Sequence, residues 1–217
     1  MKGRSLIKRL ASFLLAAYVV VAGFNYVTTK DVPQETTYII QTEDGRGNGS
    51  GVLIAPGVLL TAAHVASVNS FVPLYVKYEG ILHKVKVKSI DHISDLALLE
   101  VEGLNDKTAA IASSVPSIGS NVVATGYPMN KNIQAQLTTE GKVLGVVEDR
   151  LMSSAPILPG NSGGGLFQRN WLFKYELVGI TVSVPMIPIG WSGIPAFHIN
   201  NAVATHYIWR YLHDNGF

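Results

Sequence analysis

From Tyr38 onward the chain alternates short apolar runs with glycine, proline, serine and asparagine breaks, the pattern of successive β-strands. The runs predict strands over 37–42, 50–55, 57–60, 72–78, 81–90 and 96–102. A second set is predicted over 121–126, 134–148, 151–156, 165–169, 171–184 and 194–199, after a Ser-, Ala-, Pro- and Gly-rich crossover at 103–120. Gly45 to Gly51 reads as a glycine-rich turn and Arg169-Asn170 as a hairpin tip. Val85, Val87 and Ile90 lie among Lys84, Lys86 and Lys88, a near period-2 alternation that gives one wet face; the lysines read as a solvated edge. The pattern changes over Ala202 to His213, where Ala204, Ile208 and Leu212 recur every fourth residue on one side of a helix. The fold class is therefore all-β with a C-terminal helix.

The N-terminus has a different pattern. Lys2, Arg4, Lys8 and Arg9 precede an uncharged stretch over 10–24 that is apolar all round. A basic n-region followed by such a run reads as a signal peptide or a short anchor. Val20-Val21-Ala22 fits the small-x-small cleavage rule only loosely, which favours an uncleaved signal anchor over a cleaved signal peptide. Either way the basic end stays in the cytoplasm and the rest of the chain crosses the membrane. Residues 31–37, with Pro33, read as a linker.

Composition narrows the chemistry. The formal charge of +2 rests on the N-terminal segment, which holds five of the 17 basic residues; residues 31–217 carry 12 basic and 15 acidic side chains. No basic face argues for nucleic acid. With no cysteine, disulfides, thiol catalysis and cysteine–zinc sites are excluded. His83, His92, His198, His206 and His213 show no metal-ligand spacing, so neither metal nor cofactor is expected.

Three segments carry candidate chemistry: Thr61-Ala62-Ala63-His64, Asp95-Leu96-Ala97-Leu98-Leu99 and Gly160-Asn161-Ser162-Gly163-Gly164. Taken singly, each has a bland reading: a core histidine, a strand-start cap, a flexible turn. Together they supply the histidine, aspartate and serine of a nucleophilic triad, in the order His…Asp…Ser. Asp91, four residues before Asp95, is a rival acid. Residues 160–164 also fit Gly-x-Ser-x-Gly literally, but the Ser…Asp…His order of an esterase with that motif is absent.

In these motifs and their order the chain resembles the trypsin-like (chymotrypsin-fold) serine peptidases, in style closest to the HtrA/Deg-type bacterial branch. The resemblance implies two six-stranded antiparallel β-barrels with a C-terminal helix, preceded by one N-terminal apolar helix. Segment 1–30 is then the signal anchor or signal peptide, 31–37 the linker, 38–118 the first barrel, and 119–217 the second barrel with its terminal helix. It implies His64 as general base, Asp95 as the acid that orients it, and Ser162 as nucleophile. The N–H groups of Gly160 and Ser162 would form the oxyanion hole. The strand Ile180–Ser183 would pair with the substrate backbone, which makes Thr181, Val182 and Ser183 substrate-binding, with the Thr181 hydroxyl near Asp95. Asn161 stands where many animal members have an aspartate that pairs with a new N-terminus, so activation by such a cleavage is not expected. Six residues before Ser162 stands Pro156, followed by Ile157 and Leu158; with the apolar stretch Val184–Trp191 they give no partner for a basic side chain. The expectation is a membrane-anchored, extracytoplasmic serine endopeptidase acting on proteins or peptides after small or aliphatic residues, without a cofactor. The alternative is an inactive trypsin-like binding or scaffold module.

Overall fold

A computed structural model describes residues 2–28, 32–45, 49–67, 72–129, 135–189, 192–196 and 198–217. Six strands close the first barrel: β1 (Thr37–Thr42), β2 (Gly49–Ala55), β3 (Val58–Thr61), β4 (Leu74–Tyr78), β5 (Ile81–Asp91) and β6 (Leu96–Val101). Their order around the barrel is β1-β2-β3-β6-β5-β4. The second barrel uses β7 (Asn121–Gly126), β8 (Leu137–Val147), β9 (Arg150–Ser153), β10 (Gly165–Arg169), β11 (Tyr175–Ser183) and β14 (Asn200–Ala204), in the order β10-β11-β14-β9-β8-β7. Every pairing within the two barrels is antiparallel. This is the two-barrel fold that the motifs imply.

Closure into barrels corrects one expectation. β5 pairs with both β4 and β6, so its lysines are not on an edge. They face solvent from a closed wall, where Lys86 and Lys88 reach Glu100 at 3.2 and 3.6 Å. Of its apolar residues only Val85 is buried, while Val87 and Ile90 stay exposed.

Apolar side chains of the first barrel, including Ile40, Leu53, Leu60 and Leu98, are fully buried and form one cluster that runs on into Phe167, Leu177 and Ile180 of the second. Each such burial contributes about 1.5–3 kcal/mol. A second cluster of smaller residues, among them Ala124, Leu151, Ala202 and Ala204, fills the interior of the second barrel. The C-terminal helix, α4 (Thr205–Asp214), buries Ile208, Tyr211 and Leu212. The Tyr211 hydroxyl contacts Ser89 of β5 and the Trp209 indole N–H donates to the Ala112 carbonyl at 2.9 Å, so this helix ties both halves together.

The sequence placed this helix too early. Ala202-Val203-Ala204 suits helix or strand, and the ladders to β9 and β11 decide for strand. The strand expected over 194–199 is instead split. A hairpin of β12 (Met186–Ile189) and β13 (Ser192–Pro195) stands apart from the barrels, and β14 follows. The expected linker holds a short helix, α2 (Val32–Glu35), whose carbonyls at Val32 and Pro33 accept the Thr36 and Thr37 hydroxyls. Parts of two expected loops, 46–48 and 190–191, lie outside the described residues, as do 31, the first residue of the expected linker, and 197, in the expected strand 194–199.

The first helix, α1 (Lys2–Thr28), exposes Phe13, Leu14, Val20 and Phe24. It touches the tip of the β10–β11 hairpin, where Tyr18 stacks on Trp171 and its hydroxyl donates to the Trp171 carbonyl at 2.9 Å. Among the described residues no helix is long and apolar enough to cross a membrane.

Candidate active site

His64 lies in α3 (Ala63–Ser67), a single turn that begins directly after β3. Asp95 closes the turn between β5 and β6, with a backbone φ of 60°. That left-handed conformation costs an ordinary residue about 1–2 kcal/mol, and aspartate is among those that tolerate it. Because β3 and β6 are neighbours in the barrel, with Thr61 opposite Ala97, the two side chains meet. The His64 Nδ1 lies 2.9 Å from Asp95 Oδ2 and 3.1 Å from Oδ1, and the His64 backbone N–H donates to Oδ1 at 3.0 Å.

Burial pushes the Asp95 carboxyl upward, but the hydrogen bonds from the His64 ring and backbone, with the charges of His64 and Arg150, outweigh it and hold the group below the usual range. An ionised carboxylate only accepts, so Nδ1 carries a proton; in the neutral ring that tautomer leaves the lone pair on Nε2. Arg150 is held nearby by the Asp149 carboxylate at 3.3 Å and by the Ser94 carbonyl at 3.2 Å. The rival acid is spent locally. Asp91 accepts the Ile93 N–H at 2.9 Å and the Ser94 hydroxyl, capping the turn that presents Asp95.

Residues 158–164 form the second half of the site, and each peptide plane there is pinned. The Pro159 carbonyl accepts the Met129 N–H at 2.6 Å. The Asn161 carbonyl accepts both the Gly164 N–H at 2.9 Å and the Thr181 hydroxyl at 2.8 Å. In a trans peptide the N–H points opposite the carbonyl. The N–H groups of Gly160 and Ser162 are therefore turned away from these anchors, and neither has an acceptor among the described residues. Two such donors, two residues apart in one turn, can receive an anionic oxygen.

Glycine is required at two positions of this turn. At Gly160, φ is 96° and a Cβ would sit 2.3 Å from the Met129 nitrogen; at Gly163, φ is 83° and a Cβ would sit 2.1 Å from the Ser50 carbonyl oxygen.

The structure thus brings His64 and Asp95 into contact and leaves the Gly160 and Ser162 N–H groups open. The Ser162 hydroxyl is half-buried and donates to the Val182 carbonyl at 3.3 Å, not to His64. Thr181 differs from expectation. Its hydroxyl does not approach Asp95 but bonds the Asn161 and Gly164 carbonyls, and the residue is buried, so it supports the turn from behind. Val182 is buried and Ser183 exposed at the end of the same strand. Pro156 and Leu158 are exposed, whereas Ile157 joins the second-barrel core. Sequence reasoning missed Ser50, Met129 and Arg150. Of these only Ser50 carried a signal, its place between Gly49 and Gly51.

Among known proteins, a sequence model of the trypsin-like peptidase domain matches residues 49–180, more than half of the chain. The chain belongs to that family. The chain is 32% identical over 148 residues to the periplasmic pH-dependent serine endoprotease DegQ of Escherichia coli, covering 64% of this chain and 31% of that protein. It is 29% identical over 167 residues to the mitochondrial Protease Do-like 4 of Arabidopsis thaliana, covering 71% of this chain and 31% of that one. The solved serine endoprotease from Yersinia pestis superposes with a TM-score of 0.68 at 26% identity, over 83% of this chain and 62% of that chain. The chain spans about a third of the length of the relatives it matches.

Proposed function

We propose that the chain is a serine endopeptidase in which Ser162 is the nucleophile, His64 the general base and Asp95 the acid that orients it. The observation that carries this reading is the His64–Asp95 contact, with Nδ1 at 2.9 Å from the carboxylate, on the same molecule as the two unaccepted N–H groups of Gly160 and Ser162. In the first step His64 Nε2 takes the Ser162 proton as Oγ attacks the substrate carbonyl carbon. The resulting oxyanion is received by the Gly160 and Ser162 N–H groups, one such donor being typically worth about 100- to 1000-fold in rate. His64 then gives its proton to the leaving amine, an acyl-enzyme forms, and water attacks it by the same relay. The residues used call for no cofactor.

Substrate would lie along Val182 and Ser183, adding a strand at the end of β11. Pro156, Ile157 and Leu158 offer no charge to a buried lysine or arginine, so cleavage after small or aliphatic residues is proposed. The basic start and uncharged run of 10–24 support delivery out of the cytoplasm through an N-terminal signal or anchor, and the periplasmic relative agrees with that location. Fractionation of cells expressing the full chain tests it: protease-accessible protein outside the cytoplasm is expected, and a cytoplasmic pool alone contradicts it.

An inactive binding module is the second reading, favoured by one observation, the Ser162 hydroxyl bonded to Val182 rather than to His64. Catalytic hydrogen bonds commonly tighten only when substrate binds. Turnover of unfolded casein by wild-type protein, and its loss in Ser162→Ala, separates the readings.

A further inference from the structure

The two halves of the site come from different barrels, and one buried residue touches both. We propose that Ser50 is a positioning residue that sets the register between β3, the strand that leads into His64, and the Gly160–Ser162 turn; this rests on the serine peptidase reading above. Ser50 lies in β2, is fully buried, and uses every polar atom it has. Its backbone N–H donates to the Ser162 carbonyl at 2.8 Å. Its hydroxyl donates to the Gly160 carbonyl at 2.9 Å and accepts the Tyr127 N–H at 2.8 Å. Its own carbonyl accepts the Thr61 hydroxyl at 2.6 Å, three residues before His64.

The consequence lies in the alternation of peptide planes. Met129 and Thr181 fix the planes whose N–H groups belong to Gly160 and Ser162. Ser50 fixes the planes between and after them, through the carbonyls of Gly160 and Ser162. Losing the hydroxyl leaves the Gly160–Asn161 plane held by the Asn161 N–H on the Leu158 carbonyl at 3.0 Å alone, so its carbonyl end can tilt and pull the planes on both sides off their anchors. The surroundings are closely packed. Gly126, beside Tyr127, is so close that a Cβ on it would lie 2.9 Å from the Asn161 Cα and 3.1 Å from the Ser50 hydroxyl oxygen. An unbonded buried carbonyl at Gly160 would be left behind.

The test compares Ser50→Ala, Ser50→Thr and wild type in the full chain, below their melting temperatures and on protein counted by active-site titration. The readouts are kcat and KM on a peptide ester, and affinity for a peptide boronic acid, whose tetrahedral adduct carries the oxyanion. For Ser50→Ala, kcat and boronate affinity are expected to fall together by about 10- to 100-fold, with KM within about twofold, because misplacement of this order costs that much. Ser50→Thr, which keeps the hydroxyl, is expected to retain most of the activity. A Ser50→Ala protein with wild-type kcat and boronate affinity overturns the proposal, as does a loss that Ser50→Thr fails to rescue. Should Ser50→Ala not fold, Ser50→Cys decides: a slower kcat than Ser50→Thr supports the role and an equal one overturns it. A wild-type chain with no turnover defeats the peptidase reading itself, a result distinct from any of these.

Discussion

The two halves of the site are held by opposite means. The first-barrel half is side-chain chemistry near solvent: His64 and Asp95 side chains are 46% and 23% exposed and are aligned mainly by each other. The second-barrel half is buried main chain, in which Thr181, Met129 and Ser50 hold carbonyls and two N–H groups are left without an acceptor among the described residues. The first half should therefore fail through lost chemistry with the fold intact. The second should fail through shape, with activity and stability lost together.

The largest separation is expected at Asp95. Asp95→Asn exposes His64 to the wrong tautomer and should lower kcat by about 10⁴-fold while the melting temperature changes little. Gly163→Ala comes next: its Cβ would meet the Ser50 carbonyl and Thr61 hydroxyl oxygens at 2.1 Å. It should cost about 100- to 1000-fold in kcat through the displaced donors, with about 1–3 kcal/mol of stability from overpacking. Thr181→Val keeps the shape and removes only the hydroxyl on the Asn161 and Gly164 carbonyls; about 1 kcal/mol of stability and a several-fold loss of kcat should appear together. Smallest in activity is Asp91→Asn, which weakens the turn cap by about 1 kcal/mol and leaves kcat nearly unchanged. Paired kinetics and thermal melts on the four variants check the ordering, and a reversal of Asp95 and Asp91 would move the acid to Asp91.

Acid sharpens the same contrast. The Asp95 carboxyl is held below its usual range, so its contribution to stability is present above the unfolded pKa of about 3.9 and is lost as the pH falls toward the lower folded value. Wild-type protein should therefore lose melting temperature more steeply than Asp95→Asn below about pH 4. Parallel curves would mean that the contact with His64 adds nothing to the folded state.

What the sequence made legible follows the same divide. Strands bounded by clear turn signals were placed well, with 121–126 and 165–169 matching β7 and β10 residue for residue. The strand ending at Ala204 was missed because Ala202-Val203-Ala204 carries no period of its own and is fixed only by its two neighbours. The apolar stretch after Val184 gave no sign that it would fold back as a hairpin, since its pairing is between Met186 and Pro195 and not with either barrel. In the site, motif residues such as His64, Asp95 and Ser162 stood out by their chemistry. The groups that pin the turn did not, because Met129 acts through a backbone N–H that any residue but proline has. Thr181 was singled out, but for the wrong neighbour: its position on the strand was readable and the direction of its hydroxyl was not.

The central claim is that one serine, supported by both halves, forms a covalent intermediate. The most direct measurement is labelling of the full chain with a fluorophosphonate, followed by peptide mapping of the adduct. The account predicts one adduct on Ser162, formed far more slowly in Asp95→Asn and absent from Ser162→Ala. An adduct on Ser153 or Ser154, or no labelling of folded wild-type protein, would contradict it.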